Sequence, residues 1–145
     1  MLPKTHVLYG AIFALLFWFA YPETNWLFVA AVFFGAIFID FDHYATVFYK
    51  TGKISVASAY KYCINERKKE IAEKKRGIFK KGDFHAFHTI EFHLFVLMLG
   101  FLWAGFWYIL AGMVFHSLLD FFWMLYERRL YRREYFLANW IYKKL

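Results

Sequence analysis

The chain has 145 residues, of which 61% are hydrophobic and 26% aromatic, and a formal charge of +7. A soluble domain of this size has too little interior for so much apolar surface, which in ordinary domains is about 45–50% of residues. Eleven of the eighteen Lys and Arg lie between Lys50 and Lys81, six between Arg128 and Lys144, and the last is Lys4; charge segregated in this way marks a membrane face rather than a nucleic-acid surface. The single cysteine, Cys63, leaves no internal disulfide and no cysteine-based metal knuckle. Phosphate-loop and dinucleotide glycine motifs are absent, as are internal repeats.

The first apolar block runs from about Val7 to Tyr21 and needs its flanks to complete a crossing. No small-residue cleavage site follows it, so it reads as a retained helix rather than a removed signal peptide. Pro22-Glu23-Thr24-Asn25 is a turn signal. The second block starts at Trp26, is uncharged to Ile39, and continues through Asp40-Phe41-Asp42-His43 to about Tyr49. Residues 50–83 are polar and basic, with a helical pattern from Ser55 to about Arg76 that suits the bilayer surface. Leu94 to Phe115 carries no charge. It reads either as one span of about 33 Å or as two longer helices turning near Ala104-Gly105. The single span leaves Glu91 and Asp120 without partners and puts His88 and His116 roughly 42 Å apart. The hairpin brings both imidazoles to one surface and is preferred, because ionisable groups inside a bilayer need partners. The tail, 127–145, mixes Arg pairs with aromatic residues and suits an interfacial amphipathic helix.

The expected fold is therefore all-α and polytopic. It has four transmembrane helices at about 6–21, 26–49, 84–103 and 106–126, a basic cytoplasmic segment at 50–83 and an interfacial tail. Neither the Tyr21–Asn25 connection nor the one near Gly105 carries Lys or Arg. The basic loop, the tail and Lys4 fall on the other side, so the positive-inside rule makes that side, with both termini, cytoplasmic.

On this topology all four helices bring acids or imidazoles to one level. His6 opens the first. Asp40, Asp42 and His43 lie along the second. His88, Glu91 and His93 lie in the first turns of the third, and His116 and Asp120 in the cytoplasmic half of the fourth. His116 and Asp120 (i,i+4), His88 and Glu91 (i,i+3) and Asp40 and His43 (i,i+3) share helical faces, with Asp42 turned aside unless the helix ends there. His93 sits about 140° round from His88, and His85 shares the His88 face but lies nearer the water. Converging bare acids in a bilayer repel one another and cost several kcal/mol each, about 3 in insertion measurements. No Lys or Arg lies within the spans to relieve them, whereas a divalent ion would. Imidazole with carboxylate selects zinc, manganese or iron over calcium or magnesium, and this many donors suits two or three ions.

Thr5-His6, Gly35-Ala36-Ile37-Phe38-Ile39-Asp40-Phe41-Asp42-His43, His88-Thr89-Ile90-Glu91-Phe92-His93 and Gly112-Met113-Val114-Phe115-His116-Ser117-Leu118-Leu119-Asp120 together resemble the motifs of the membrane-bound metal-dependent hydrolase family (YdjM-like). That family is similar in its order of ligands to the zinc phospholipase C and single-strand nuclease superfamily. Its third motif usually reads His-Arg-Gly-x-Thr-His; here Thr89-Ile90 stands for Arg-Gly and Phe92 for Thr, so an arginine suited to phosphate is missing at that point. The resemblance implies a polymetal hydrolase, with phosphoesters the first substrates to consider.

The expected activity is hydrolysis of a lipid at the cytoplasmic leaflet. His6, Asp40, Asp42, His43, His88, Glu91, His116 and Asp120 serve as ligands to zinc, manganese or iron. Glu91 or Asp42 acts as the base, and His93 serves the substrate or a further ion. Anionic headgroups are the expected partners of the basic segments, and nucleic acid is not. Two rivals remain open at this stage: an amide or ester hydrolase of the membrane ceramidase kind, and a non-enzymatic membrane scaffold or regulator braced by a structural metal. A transporter is disfavoured because the outer halves of the spans have almost no polar residues.

Overall fold

Every regular element among the described residues, 3–145 of the computed structural model, is helical; the Lys4 side chain lies outside the described part. Helix α1 spans Pro3–Ala20 and α2 spans Trp26–Phe38. Asn25 caps α2, its Oδ1 accepting the Leu27 N–H at 2.9 Å, which satisfies one of the orphan amides of a helix start. A two-residue turn at Ile39-Asp40 separates α2 from α3 (Phe41–Thr51). Gly52, at φ 68°, ends α3 in the left-handed region, its N–H donating to the Phe48 carbonyl at 2.8 Å. Helix α4 (Val56–Lys75) carries the basic segment. A 3₁₀ turn (Ala86–His88) leads into α5 (Ile90–Leu99), the chain turns at residues 100–104, and α6 runs Gly105–Tyr126. A second 3₁₀ turn (Leu130–Arg132) and the short α7 (Leu137–Tyr142) complete the chain.

Two helical segments are long and apolar enough to cross a membrane, Trp26–Thr51 and Gly105–Tyr126; the apolar helices Thr5–Ala20 and Ile90–Leu99 are shorter. The expected third helix at 84–103 is thus reduced at both ends. Thr89 holds an extended backbone and caps α5, its Oγ1 accepting the Phe92 N–H at 3.4 Å, so residues 84–88 lie before the helix rather than in it. The tail is likewise not one amphipathic helix: residues 133–136 are non-helical and only α7 follows them.

Helix α6 sits at the centre, packed against α1, α2 and α5. Its approach to α2 depends on two glycines. A Cβ on Gly112 would run into the Val32 carbonyl, and one on Gly35 into the Ile109 carbonyl. The helices therefore meet backbone to backbone, as small residues at a helix contact allow. Ile39, Val96 and Met113 form the buried core beside this contact, with Phe87, Phe92 and Phe106 against it. Aromatic stacking seals the end near the short turns: Phe28 lies flat on Tyr108 with ring centroids 4.5 Å apart. Leu15, Leu16, Phe19, Phe34, Met98, Leu118 and Phe122 are exposed, while the buried set includes His6, Asp42, His88, His116 and Asp120. Apolar outside and ionisable inside is the arrangement a lipid solvent favours.

The other end is closed by charge. Glu70 of α4 is buried and accepts from two guanidinium nitrogens of Arg129, Nε and Nη2. Glu127 accepts from Arg67 at 2.7 Å and from Arg129 at 2.9 Å, and Lys74 donates to the Glu127 carbonyl at 2.9 Å. These contacts lash the basic helix to the segment after α6. Burial alone would raise the Glu70 carboxyl, but Arg129, with Arg132 and Arg67, holds it below its ordinary value.

Gly112→Ala is expected to destabilise the fold by about 1–3 kcal/mol, as overpacking does in well-filled cores, with a smaller loss for Gly10→Ala, whose Cβ would meet side-chain atoms alone, the Ala36 Cβ at 3.1 Å and Phe33 Cδ2 at 3.9 Å; thermal unfolding in detergent compares them, and an unchanged Gly112→Ala protein refutes the close approach. A carboxyl lowered on folding stabilises above its unfolded pKa and loses that contribution as pH falls through the folded one. Wild-type protein should therefore lose melting temperature below about pH 4.3 more steeply than Glu70→Gln; parallel curves would remove Glu70 from the account.

Candidate metal centre

Five parts of the chain aim ionisable side chains at one point beneath the charged end. His6 comes from α1, Asp40 from the turn between α2 and α3, Asp42 and His43 from the first turn of α3, His85 and His88 from the strand-free segment before α5, and His116 and Asp120 from α6. The break at Ile39-Asp40 decides how α3 contributes. Because the helix restarts there, Asp42 is not turned aside: it is buried, and its Oδ2 accepts the Phe87 N–H at 2.9 Å and faces His88 Nδ1 at 3.1 Å.

Two backbone-level contacts set the imidazole tautomers. His116 Nδ1 lies 2.7 Å from the Ala36 carbonyl, so Nδ1 carries the proton and donates it. His88 Nδ1 donates to the Asp42 carboxylate in the same way. Each neutral ring then presents an Nε2 lone pair inward. Those lone pairs face each other at 3.4 Å. Both also face Asp120 Oδ2 at 3.8 Å, and Asp40 Oδ1 lies 3.5 Å from His116 Nε2 and 3.9 Å from His88 Nε2. His43 Nε2 approaches the same Asp40 oxygen at 3.4 Å. His6 stacks on His116 with centroids 4.0 Å apart and places Nε2 3.2 Å from Asp120 Oδ1.

The Nε2 lone pairs of His88 and His116 thus converge on each other and on carboxylate oxygens, with the protons of these two rings directed away from the centre. A divalent ion with bonds of about 2.0–2.2 Å in tetrahedral geometry holds its donors roughly 3.3–3.6 Å apart, close to the 3.4 Å of the facing imidazoles. Three groupings meet the geometry for an ion around the inner point: His6, Asp40 and His116; Asp40, His43 and His88; and His88, His116 and Asp120. Asp40, His88 and His116 each belong to two of them. A fourth grouping, Asp42, His43 and His85, lies beside them. There Asp42 Oδ1 and His85 Nδ1 are buried, make no hydrogen bond and face each other at 3.5 Å. The residues present therefore fit divalent ions.

Of the residues singled out in the sequence, His6, Asp40, Asp42, His43, His88, His116 and Asp120 gather here. Glu91 and His93 do not. Glu91 Oε2 and Oε1 accept the Leu137 and Ala138 N–H groups at 2.9 and 3.1 Å, capping α7. His93 bridges α5 to α6, with Nδ1 2.9 Å from the Thr89 carbonyl and Nε2 3.1 Å from Ser117 Oγ. Both belong to no metal grouping among the described residues. The reason is the late start of α5: with His88 before the Thr89 cap, the i,i+3 relation to Glu91 no longer describes one helix face. Two residues were missed. His85 was set aside as nearer the water, although its i,i+3 spacing from His88 was a signal. Arg133 was read only as part of a basic tail, yet it donates to Asp120 Oδ2 at 2.7 Å; nothing in the local sequence distinguishes it from Arg132.

No family model, curated protein or solved structure matches the chain.

Asp40→Ala should abolish most metal binding measured by elemental analysis, since its one oxygen faces three imidazoles, whereas Glu91→Ala should keep the metal and lose only the α7 cap. Full metal retention in Asp40→Ala, or its loss in Glu91→Ala, reverses the assignment.

Proposed function

We propose that this chain is an integral-membrane, metal-dependent hydrolase that cleaves a phosphoester of a lipid at the cytoplasmic leaflet, related to the YdjM-like family that its motifs resemble. The observation that carries the reading is the convergence of imidazole lone pairs and carboxylates, with their protons turned outward, inside a helical bundle whose outer surface is apolar. Arg133 supplies one cation at Asp120 Oδ2; the remaining acceptors repel one another unless further cations occupy the centre.

In this reading α1, the segment Trp26–Thr51, α5 and α6 are the four membrane-embedded helices. The shorter α1 and α5 reach the interface through their flanking segments. The basic α4 and the tail lie on the cytoplasmic side with the centre beneath them, which lets a lipid enter sideways with its headgroup at the ligands. His6, Asp40, His43, His88, His116 and Asp120 would hold the ions, zinc, manganese or iron. When bound, such ions polarise a phosphoryl oxygen and make water acidic enough to attack near neutral pH. The chain supplies the rest. Asp42 and the Ala36 carbonyl fix the orientation of His88 and His116. His85 borders the open cavity beside the centre, and with Asp42 Oδ1 3.5 Å behind its Nδ1 it is the ring placed to accept a proton from water and pass it to the leaving oxygen.

Purified protein should carry about two transition-metal ions per chain and hydrolyse members of a panel of lipid phosphates. Asp120→Ala should lose both properties, and His85→Ala should keep the metal while losing about a hundredfold in rate. Less than one equivalent of metal in the wild-type protein sinks the proposal. Cleavage of neutral amide or ester lipids with no turnover of phosphates replaces it with the amide or ester hydrolase, and metal without hydrolysis of either leaves the scaffold with a structural metal.

A further inference from the structure

We infer that Arg133, with Arg132 beside it, binds the phosphoryl oxygens of the substrate, and that the substrate is therefore a phosphate monoester rather than a neutral lipid. The inference rests on the proposed hydrolase function and names the residues that select its substrate.

A cavity of about 180 Å³ opens beside the metal centre. His43, His85 and Asp120 border it, and so do Arg129, Arg132 and Arg133. The three arginines are not equivalent. Arg129 is committed to Glu70 and Glu127. Arg132 makes only longer contacts, 3.4 Å to the Lys80 carbonyl and 3.8 Å to Glu70 Oε2. Arg133 binds Asp120 Oδ2, the same oxygen that faces His88 and His116. Both guanidinium groups are largely buried, with side chains 15% and 11% exposed.

The segment at 80–82 pins the backbone that carries them. The Gly82 N–H donates to the Arg132 carbonyl at 2.8 Å, and Lys81 Nζ donates to the Arg133 carbonyl at 2.8 Å. A Cβ at Gly82 would lie 3.3 Å from both the Arg132 carbonyl and Nε, so the two strands of chain meet more tightly than a side chain there would comfortably allow. Held this way, the guanidinium groups border the space next to the ligands instead of trailing into water. A planar guanidinium donates in parallel to two oxygens of a phosphate, and it stays charged when partly buried. An amide or ester headgroup offers no anionic oxygens to meet two such cations. A dianionic monoester meets both while its remaining oxygen faces the centre. The phosphate can belong to a lipid headgroup or to a soluble molecule, and the chemistry is shared.

Cys63 borders the same cavity, is exposed, and is the only cysteine in the chain, so its alkylation by a maleimide reports occupancy without any turnover. In metal-loaded full-length protein in detergent, inorganic phosphate should slow that alkylation. The concentration giving half protection should rise about tenfold or more in Arg133→Gln and in Arg132→Gln, and recover in part in Arg133→Lys, with metal content unchanged. Protection by phosphatidic acid in mixed micelles, but not by phosphatidylcholine, assigns the phosphate to a lipid headgroup; protection by inorganic phosphate alone assigns it to a soluble ester. Wild-type half-protection in both Gln variants overturns the inference. So does metal loss in Arg133→Gln together with unchanged protection in Arg132→Gln, which would make Arg133 a brace for Asp120. If Arg133→Gln fails to fold, Arg132→Gln decides alone. Protection by a neutral N-acyl lipid and not by phosphate also overturns it, whereas absence of bound metal in the wild type removes the hydrolase reading itself.

Discussion

The backbone contact between α2 and α6 is the constraint on which the rest of this molecule depends. Gly35 and Gly112 let the two helices approach until each carries a carbonyl against the other's missing side chain. Only at that separation can His116 reach the Ala36 carbonyl at 2.7 Å. That bond sets the ring's tautomer, and the tautomer decides whether Nε2 offers a proton or a lone pair to Asp40 and Asp120. Packing, which in a soluble core would be judged by the apolar area it buries, here acts first on the chemistry of a single nitrogen. Many apolar side chains of the same helices face outward, so the contact relies on close fit and hydrogen bonds as well as on the few apolar groups it buries.

Electrostatics then divides the molecule by height. Towards the short turns the interior is aromatic, with Phe28 on Tyr108 and Phe13 on Phe115. At the middle level acids meet imidazoles. Beyond them lies an ion-pair layer in which Glu70 and Glu127 take up Arg67 and Arg129. Isolated surface pairs contribute little, but Glu70 is buried and shared among several guanidinium groups, so removing either side leaves charge without a partner. This layer keeps the basic helix over the centre and draws Arg133 down to Asp120.

Much of the fold could be read from periodicity and charge. Long uncharged blocks required helices, and α6 begins within a residue of where the Ala104-Gly105 turn signal placed it. The convergence on one level could be read as well, because His6, Asp40, His88, His116 and Asp120 each fall at a fixed height once helices are assumed. What could not be read were the interruptions. The turn at Ile39-Asp40 carries no proline or glycine, and it alone allows Asp40, Asp42 and His43 to serve one region together. The late start of α5 at the Thr89 cap sent Glu91 to the α7 amides and His93 to Ser117. Arg133 arrives from the far end of the chain through contacts at Lys81 and Gly82, and no local pattern encodes a meeting between segments so distant in sequence.

The interruption between α2 and α3 has a consequence for how this centre tolerates change. At the break the Asp40 N–H donates to the Ile37 carbonyl at 3.1 Å, three residues back, and the Ala36 carbonyl, released from its usual i+4 partner, receives His116 instead. The group that orients this ligand is therefore main chain. Substitution at position 36 alters the side chain and leaves the acceptor in place, provided the new residue fits beside Gly10 and Gly112. Drift in the surrounding sequence is filtered through shape rather than through chemistry. The orientation of His116 can persist while its neighbours diverge in identity, so long as the helix still breaks at the same residue.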